Sequence, residues 1–215
     1  MSAPAAIDRE LIVSDGGHDL PGRLRLPPGV HGLVLFAHGS GSSRLSPRNR
    51  QVAAVLEDAG VATFLFDLLD EVEAADRRLV FDVGLLARRL LAATDRVADE
   101  PETETLPVGY FGASTGAAAA LVAAAERPVI AAVVSRGGRP DLASEALGRV
   151  RAPTLLIVGG RDVEVLDLNR RALARLPGEK RLEVIPGATH LFEEPGAIER
   201  VAELAAGWFA RSLAA

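Results

Sequence analysis

Three residues that could do chemistry together, Ser114, Asp162 and His190, each follow a short apolar run. They come in that order along the chain, 48 and 28 residues apart. A serine hydroxyl is a weak nucleophile near neutral pH until a base within reach takes its proton. An imidazole does so efficiently when a carboxylate holds it in one tautomer and stabilises its protonated form. Ser114 sits in Gly112-Ala-Ser-Thr-Gly116, between the apolar run Pro107–Phe111 and an alanine-rich stretch from Thr115 to Glu126. Gly-x-Ser-x-Gly between a strand and a helix makes a sharp turn that raises the hydroxyl above the sheet, and the crowding there requires small flanking residues. Asp162 ends Gly159-Gly-Arg-Asp after the run Thr154–Val158. A helix cap is the other use of an aspartate at that place, and Glu164 is the nearest competitor for the acid. His190 ends Pro186-Gly-Ala-Thr-His after Leu182–Ile185.

The chain has four histidines. His18 lies in a turn near the N-terminus and His31 just before a strand, and both read as surface residues. His38 opens the glycine-rich stretch His38-Gly-Ser-Gly-Ser-Ser43 after Leu33–Ala37 and reads as a residue that shapes this loop. Such a loop ahead of a helix turns backbone N–H groups toward a developing anion. An acyl-transfer site needs two such donors, and the N–H groups of Ser40 and Thr115 are the expected pair. A phosphate-binding loop is the competing use. Neither G-x-x-x-x-G-K-[ST] nor G-x-G-x-x-G occurs, and Lys180 is the one lysine in the chain.

These residues need a scaffold that brings distant strand ends to one edge. Apolar runs of four to six residues, LVLFA (33–37), VATFLF (61–66), PVGYF (107–111), VIAAVV (129–134), TLLIV (154–158) and LEVI (182–185), alternate with helical stretches. The helical stretches fall at 48–59, about 76–95, 115–126 and around Ile198–Phe209. Near-continuous apolar strands separated by helices predict a mostly parallel sheet buried on both faces. At the start, ELIV (10–13) and RLRL (23–26) flank Asp15-Gly-Gly and predict an antiparallel hairpin. No repeat or linker divides the chain, so one domain over 1–215 is expected. The acidic segment Asp67–Asp76 reads as a solvated loop or helix start, with a small flap as the alternative.

Composition narrows the chemistry. With 215 residues, 48% of them apolar, the chain can bury a large core without cross-links. It contains no cysteine, which excludes disulfides, thiolate metal sites, iron–sulfur clusters and a thiol nucleophile. The formal charge of −5 and an aromatic content of 4% argue against nucleic-acid binding. The opening residues lack a basic start followed by an apolar run, and no apolar stretch approaches the length of a membrane span. A cytoplasmic protein without membrane attachment, acting as a monomer or homodimer, is expected.

The motifs at 38–41, 112–116, 160–162 and 187–190 resemble those of the α/β-hydrolase superfamily, over roughly residue 30 to the C-terminus. The short chain, without an insertion long enough for a lid, is similar to the dienelactone-hydrolase-like branch. That resemblance implies an α/β-hydrolase fold with helices on both faces of the sheet and no large cap. It implies Ser114 as nucleophile, Asp162 as orienting acid, His190 as base, and the Ser40 and Thr115 amides as oxyanion donors. It departs from true dienelactone hydrolases at the nucleophile, which is cysteine there, so their substrate does not carry over. The expected reaction is hydrolysis of a small or medium soluble carboxylic ester, or a related thioester or lactone, through an acyl-enzyme, with no cofactor and no metal. The alternatives are a non-catalytic binding module of the same fold and an acyltransferase using the same triad. Arg44, Arg136 and Arg139 fall near the same strand ends and are candidates for binding a negative charge on the acyl substrate. Pairing with neighbours such as Asp141 is their competing use.

Overall fold

The computed structural model describes residues 6–214. Eight strands, β1 (Ile7–Asp15), β2 (His18–Leu26), β3 (Leu33–Ala37), β4 (Ala62–Phe66), β5 (Val108–Ala113), β6 (Ala132–Arg136), β7 (Thr154–Gly159) and β8 (Lys180–Ile185), form one sheet. Their order across the sheet is β1-β2-β4-β3-β5-β6-β7-β8. The β1–β2 hairpin is antiparallel and joins β4 antiparallel, and all further pairings are parallel. Seven helices accompany them: α1 (Pro47–Asp58), α2 (Glu71–Ala75), α3 (Arg77–Val80), α4 (Val83–Ala98), α5 (Thr115–Glu126), α6 (Val163–Arg175) and α7 (Ala197–Ser212). Residues Pro140–Arg149 form 3₁₀ turns.

The helices cover the two sheet faces with separate cores. Val52 and Leu56 of α1 and Val201, Trp208 and Phe209 of α7 pack on Val34, Phe36, Phe111 and Val134. On the other face, Leu86, Leu90 and Val97 of α4 and the alanines of α5 pack on Leu35, Phe64, Tyr110 and Val133. The alternation of these strand residues between the two cores is the two-residue period of a pleated strand. Helix α5 is apolar on every side and buried from Thr115 to Leu121, and its small side chains let it lie close against the sheet.

Three elements differ from the sequence reading, one of them α6, a helix not among the expected stretches. The helix expected over about 76–95 is divided into α3 and α4, and α2 lies ahead of it, within the acidic segment Asp67–Asp76. Asp70, Asp76 and Asp82 each accept a backbone N–H from the start of the following helix, so each aspartate begins a new helix rather than continuing one. Strand β6 begins at Ala132 rather than Val129. Ile130 N–H closes a turn onto Arg127 O as the chain leaves α5, which keeps Val129 out of the sheet and exposed.

Register sets up the site. Ala37 pairs with Gly112, Ala113 with Arg136, Arg136 with Ile157, and Gly159 with Ile185. Parallel pairing therefore brings the loops after β3, β5, β6, β7 and β8 to one edge. The chain leaves β3 toward β4 on one side, and β5 leads to β6 on the other. The crevice of an open parallel sheet forms at such a reversal.

Candidate active site

Ser114 occupies the turn between β5 and α5 with φ 51° and ψ −118°, a conformation rare for a residue with a side chain. Such strain costs about 1–3 kcal/mol and persists only where neighbours impose it. Here they do. A Cβ on Gly112 would lie 2.4 Å from Ala117 Cα, and one on Gly116 would lie 2.2 Å from Ala37 O. The Ser114 N–H donates to Arg136 O at 3.1 Å, tying the turn to β6. The Ser114 hydroxyl does not cap α5 and is free to meet another partner.

That partner is His190. Its Nε2 lies 3.3 Å from Ser114 Oγ, and its Nδ1 lies 2.6 Å from Asp162 Oδ2. With Nδ1–H donating to the carboxylate, the Nε2 lone pair faces the hydroxyl. Asp162 precedes α6 but makes no capping bond with its side chain, which is committed to the imidazole. Its loop is fixed by Asp162 N–H to Gly159 O at 3.0 Å and Arg161 N–H to Ala188 O at 2.9 Å. Glu194 accepts the Thr189 N–H at 3.0 Å, and hydrogen bonding with the Thr189 side chain first, and then with the backbone of Glu194 and Thr189, holds its carboxyl below the usual range. Phe192, at φ 55°, is a strained residue of the loop after β8, and its ring is buried in the α1–α7 core. The Arg136 guanidinium lies 5.9 Å from the centre of that ring. Asp162, not Glu164, is the carboxylate that meets His190.

The loop after β3 reaches the same place. His38 is buried, its Nδ1 is 3.0 Å from Gly39 O, and its Nε2 accepts the Leu68 N–H at 3.0 Å. These partners define one neutral tautomer, and burial pushes the imidazole below its ordinary pKa. The Ser40 N–H donates to Thr115 Oγ1 at 2.9 Å. Thr115 is the first residue of α5, where backbone N–H groups have no acceptor within the helix. Beside Ser40 and Thr115 a cavity of about 680 Å³ opens toward α2, with Leu68, Leu69, Ala74 and Leu86 among its apolar walls and Asp19, Asp67, Asp70 and Glu71 among its polar ones. The segment from Asp67 to Asp76 thus forms one wall of this cavity.

The three candidate arginines all have partners within the protein, and of the three only Arg44 is among the residues that line the cavity. Arg44 pairs with Asp67 through both its backbone N–H and its guanidinium. Arg139 makes a two-pronged bond to Asp141 at 2.9 and 2.8 Å, which raises its pKa. Arg136 points into the protein, meeting Asn49 Oδ1 at 3.4 Å. Burial, with Arg48 beside it, lowers its pKa to about 10. His18 is not a turn residue on the open surface. It begins β2 and bonds to Asp70 Oδ2 at 2.6 Å, within a network running through Glu73 to the buried Arg89 and on to Asp15. This network anchors α2, and the sequence reading missed it because its members lie tens of residues apart. Among the described residues, His18, Asp70 and Glu73 bring ligand-type atoms within 4.8 Å of one another. The Glu73–Arg89 ion pair at 2.9 Å places a positive charge against that group, which disfavours a cation. No helix among the described residues is long and apolar enough to cross a membrane.

An open, mostly parallel sheet with a strained serine turn on its central strand defines an α/β hydrolase. The chain belongs to that family, on its dienelactone-hydrolase-like branch: a family model described as an alpha/beta hydrolase domain matches residues 30–206. Dienelactone hydrolase from Anabaena variabilis is 58% identical, with a TM-score of 0.94 over 97% of this chain and 99% of that one. Est1E from Butyrivibrio proteoclasticus shares the fold, with a TM-score of 0.81 at 18% identity, covering 96% of this chain and 99% of that one. A protein of Mycobacterium tuberculosis (strain H37Rv) named as a putative phosphoribosyl transferase is 60% identical over 207 residues, 96% of this chain and 47% of that protein. The chain spans about half the length of the curated relatives it matches.

Proposed function

We propose that the protein is a serine hydrolase that cleaves a small or medium carboxylic ester, or a related thioester or lactone, through an acyl-enzyme on Ser114. The supporting observation is the hydrogen-bonded chain from Ser114 Oγ through the His190 ring to Asp162 Oδ2. In this reading Ser114 Oγ attacks the carbonyl carbon and His190 Nε2 takes its proton. The tetrahedral oxyanion is held on the Ser40 and Thr115 side of the turn. His190 then gives the proton to the leaving alcohol as the C–O bond breaks, and Asp162 stabilises the imidazolium between the two transfers. Water attacks the acyl-enzyme by the same steps and restores Ser114. The His190 side chain is 37% exposed, so water can reach the base for deacylation.

The cavity beside Thr115 supports a neutral acyl substrate rather than an anionic one. Its apolar walls suit a short chain or ring. Of its carboxylates, Asp67 is neutralised by Arg44, while Glu71 has no cationic partner among the described residues. The same charge disfavours a phosphoribosyl group, the anionic moiety in the name of the M. tuberculosis relative. A screen over p-nitrophenyl esters of rising acyl length, with thioesters and lactones and with Ser114→Ala as the blank, tests the proposal. Turnover that Ser114→Ala abolishes is expected. Turnover that survives in that variant, or none with any acyl compound, would overturn it.

A further inference from the structure

The Ser40 N–H, an expected oxyanion donor, is already used: it donates to Thr115 Oγ1 at 2.9 Å. A hydroxyl offers one hydrogen and two lone pairs. The bond from Ser40 occupies a lone pair and leaves the hydrogen free to donate. Thr115 Oγ1 has no other hydrogen-bond partner among the described residues, and both Thr115 and Ser40 line the cavity. We propose that the Thr115 side-chain hydroxyl is itself an oxyanion donor, oriented and polarised by Ser40. The inference rests on the serine-hydrolase reading.

The arrangement is rigid from both sides. Gly39 approaches the turn so closely that a Cβ there would lie 3.1 Å from both Ala113 O and Ser114 Cβ, which fixes Ser40 relative to Thr115. Thr115 is 3% exposed and branched at Cβ, so its rotamer is restricted. A hydroxyl that accepts a hydrogen bond donates a stronger one. In the Michaelis complex Thr115 then offers two donors to one oxygen, its backbone N–H at the head of α5 and its O–H. Both bonds strengthen as the carbonyl becomes an oxyanion. Neither proton is transferred, and the Thr115 hydroxyl leaves the cycle unchanged.

Thr115→Val, near-isosteric and without a hydroxyl, tests this against direct donation by Ser40, because it also frees the Ser40 N–H. With p-nitrophenyl acetate, Thr115→Val is expected to lower kcat on the order of 100-fold, the loss typical of one oxyanion donor, with little change in KM. Thr115→Ser is expected to retain most of the rate. Inhibition by a trifluoromethyl ketone, whose Ser114 adduct carries the same oxyanion, is expected to weaken in Thr115→Val and persist in Thr115→Ser. Thr115→Ala carries the comparison if the valine variant does not fold. Wild-type turnover and inhibition in the hydroxyl-free variant would overturn the inference and return the role to Ser40. That outcome is separate from absence of Ser114-dependent turnover in the wild type, which would sink the serine-hydrolase reading and this inference with it.

Discussion

The Asp162 carboxylate sits directly ahead of α6 yet leaves that helix uncapped, reaching instead to within 2.6 Å of His190 Nδ1. An aspartate at a helix start is ordinarily stabilising as a cap. Its side chain is diverted here to hold an imidazole against Ser114. Asp162→Asn keeps the shape but presents an amide to Nδ1, favouring the wrong tautomer. It is expected to lower kcat roughly 10³–10⁴-fold while leaving the unfolding midpoint nearly unchanged. Steady-state kinetics beside a thermal melt checks this, and a loss of less than tenfold would remove Asp162 from the role.

The serine turn depends on the absence of a side chain at Gly116. A Cβ there meets backbone, Ala37 O at 2.2 Å and His38 O at 2.4 Å, which cannot swing aside as a flexible side chain would. Gly116→Ala is expected to cost roughly 1–3 kcal/mol of stability, the usual penalty of overpacking, and to reduce the acylation rate by displacing Ser114 and Thr115 together. Urea unfolding and stopped-flow acylation measure the two effects.

His38 gives stability a pH dependence of known sign. Its imidazole is buried and neutral in the folded protein, with its pKa lowered from 6.5 chiefly by burial. Below about 6.5 the unfolded chain takes up a proton that the folded state refuses. Stability is therefore complete above that pH and falls as pH drops through it. In His38→Gln this part of the slope is expected to vanish. Comparing unfolding free energies of the two proteins at pH 7.5 and 5.5 isolates it, since the other titrating groups are common to both. Equal slopes would contradict the neutral, buried assignment.

Charge in the cavity makes a prediction about substrates. The Glu71 carboxylate on the cavity wall, without a cationic partner among the described residues, repels an anionic acyl chain bound there. A neutral p-nitrophenyl butyrate is expected to exceed the anionic p-nitrophenyl hemisuccinate in kcat/KM by roughly tenfold, and Glu71→Gln to narrow the gap. Preference for the anionic ester would return Arg44, Arg136 or Arg139 to the substrate.

What could be read from the amino-acid order alone follows from how local each signal is. The runs LVLFA and TLLIV announce strands buried on both faces because consecutive residues in them, Thr154 apart, are apolar. The glycines around Ser114 announce the turn because the crowding lies within a few residues of it. Asp162 and His190 were legible as strand-end residues, since parallel register brings such ends together. Charge pairing was not legible. Arg44 finds Asp67 across 23 residues and His18 finds Asp70 across 52, and a charge in a sequence does not name its partner. The division of the expected helix over 76–95 turned on Asp76 and Asp82, whose short side chains compete for backbone N–H groups as readily as they ride a helix surface. The use of the Ser40 N–H was hidden for the same reason: its acceptor, Thr115 Oγ1, is 75 residues away.

Intact-protein mass spectrometry after treatment with a fluorophosphonate probe tests the role of Ser114 most directly. One probe adduct is expected on the wild type, located by peptide mapping to Ser114, lost in Ser114→Ala and slowed by orders of magnitude in His190→Ala. An unlabelled wild type, or an adduct that persists in Ser114→Ala, would contradict an activated serine at this turn.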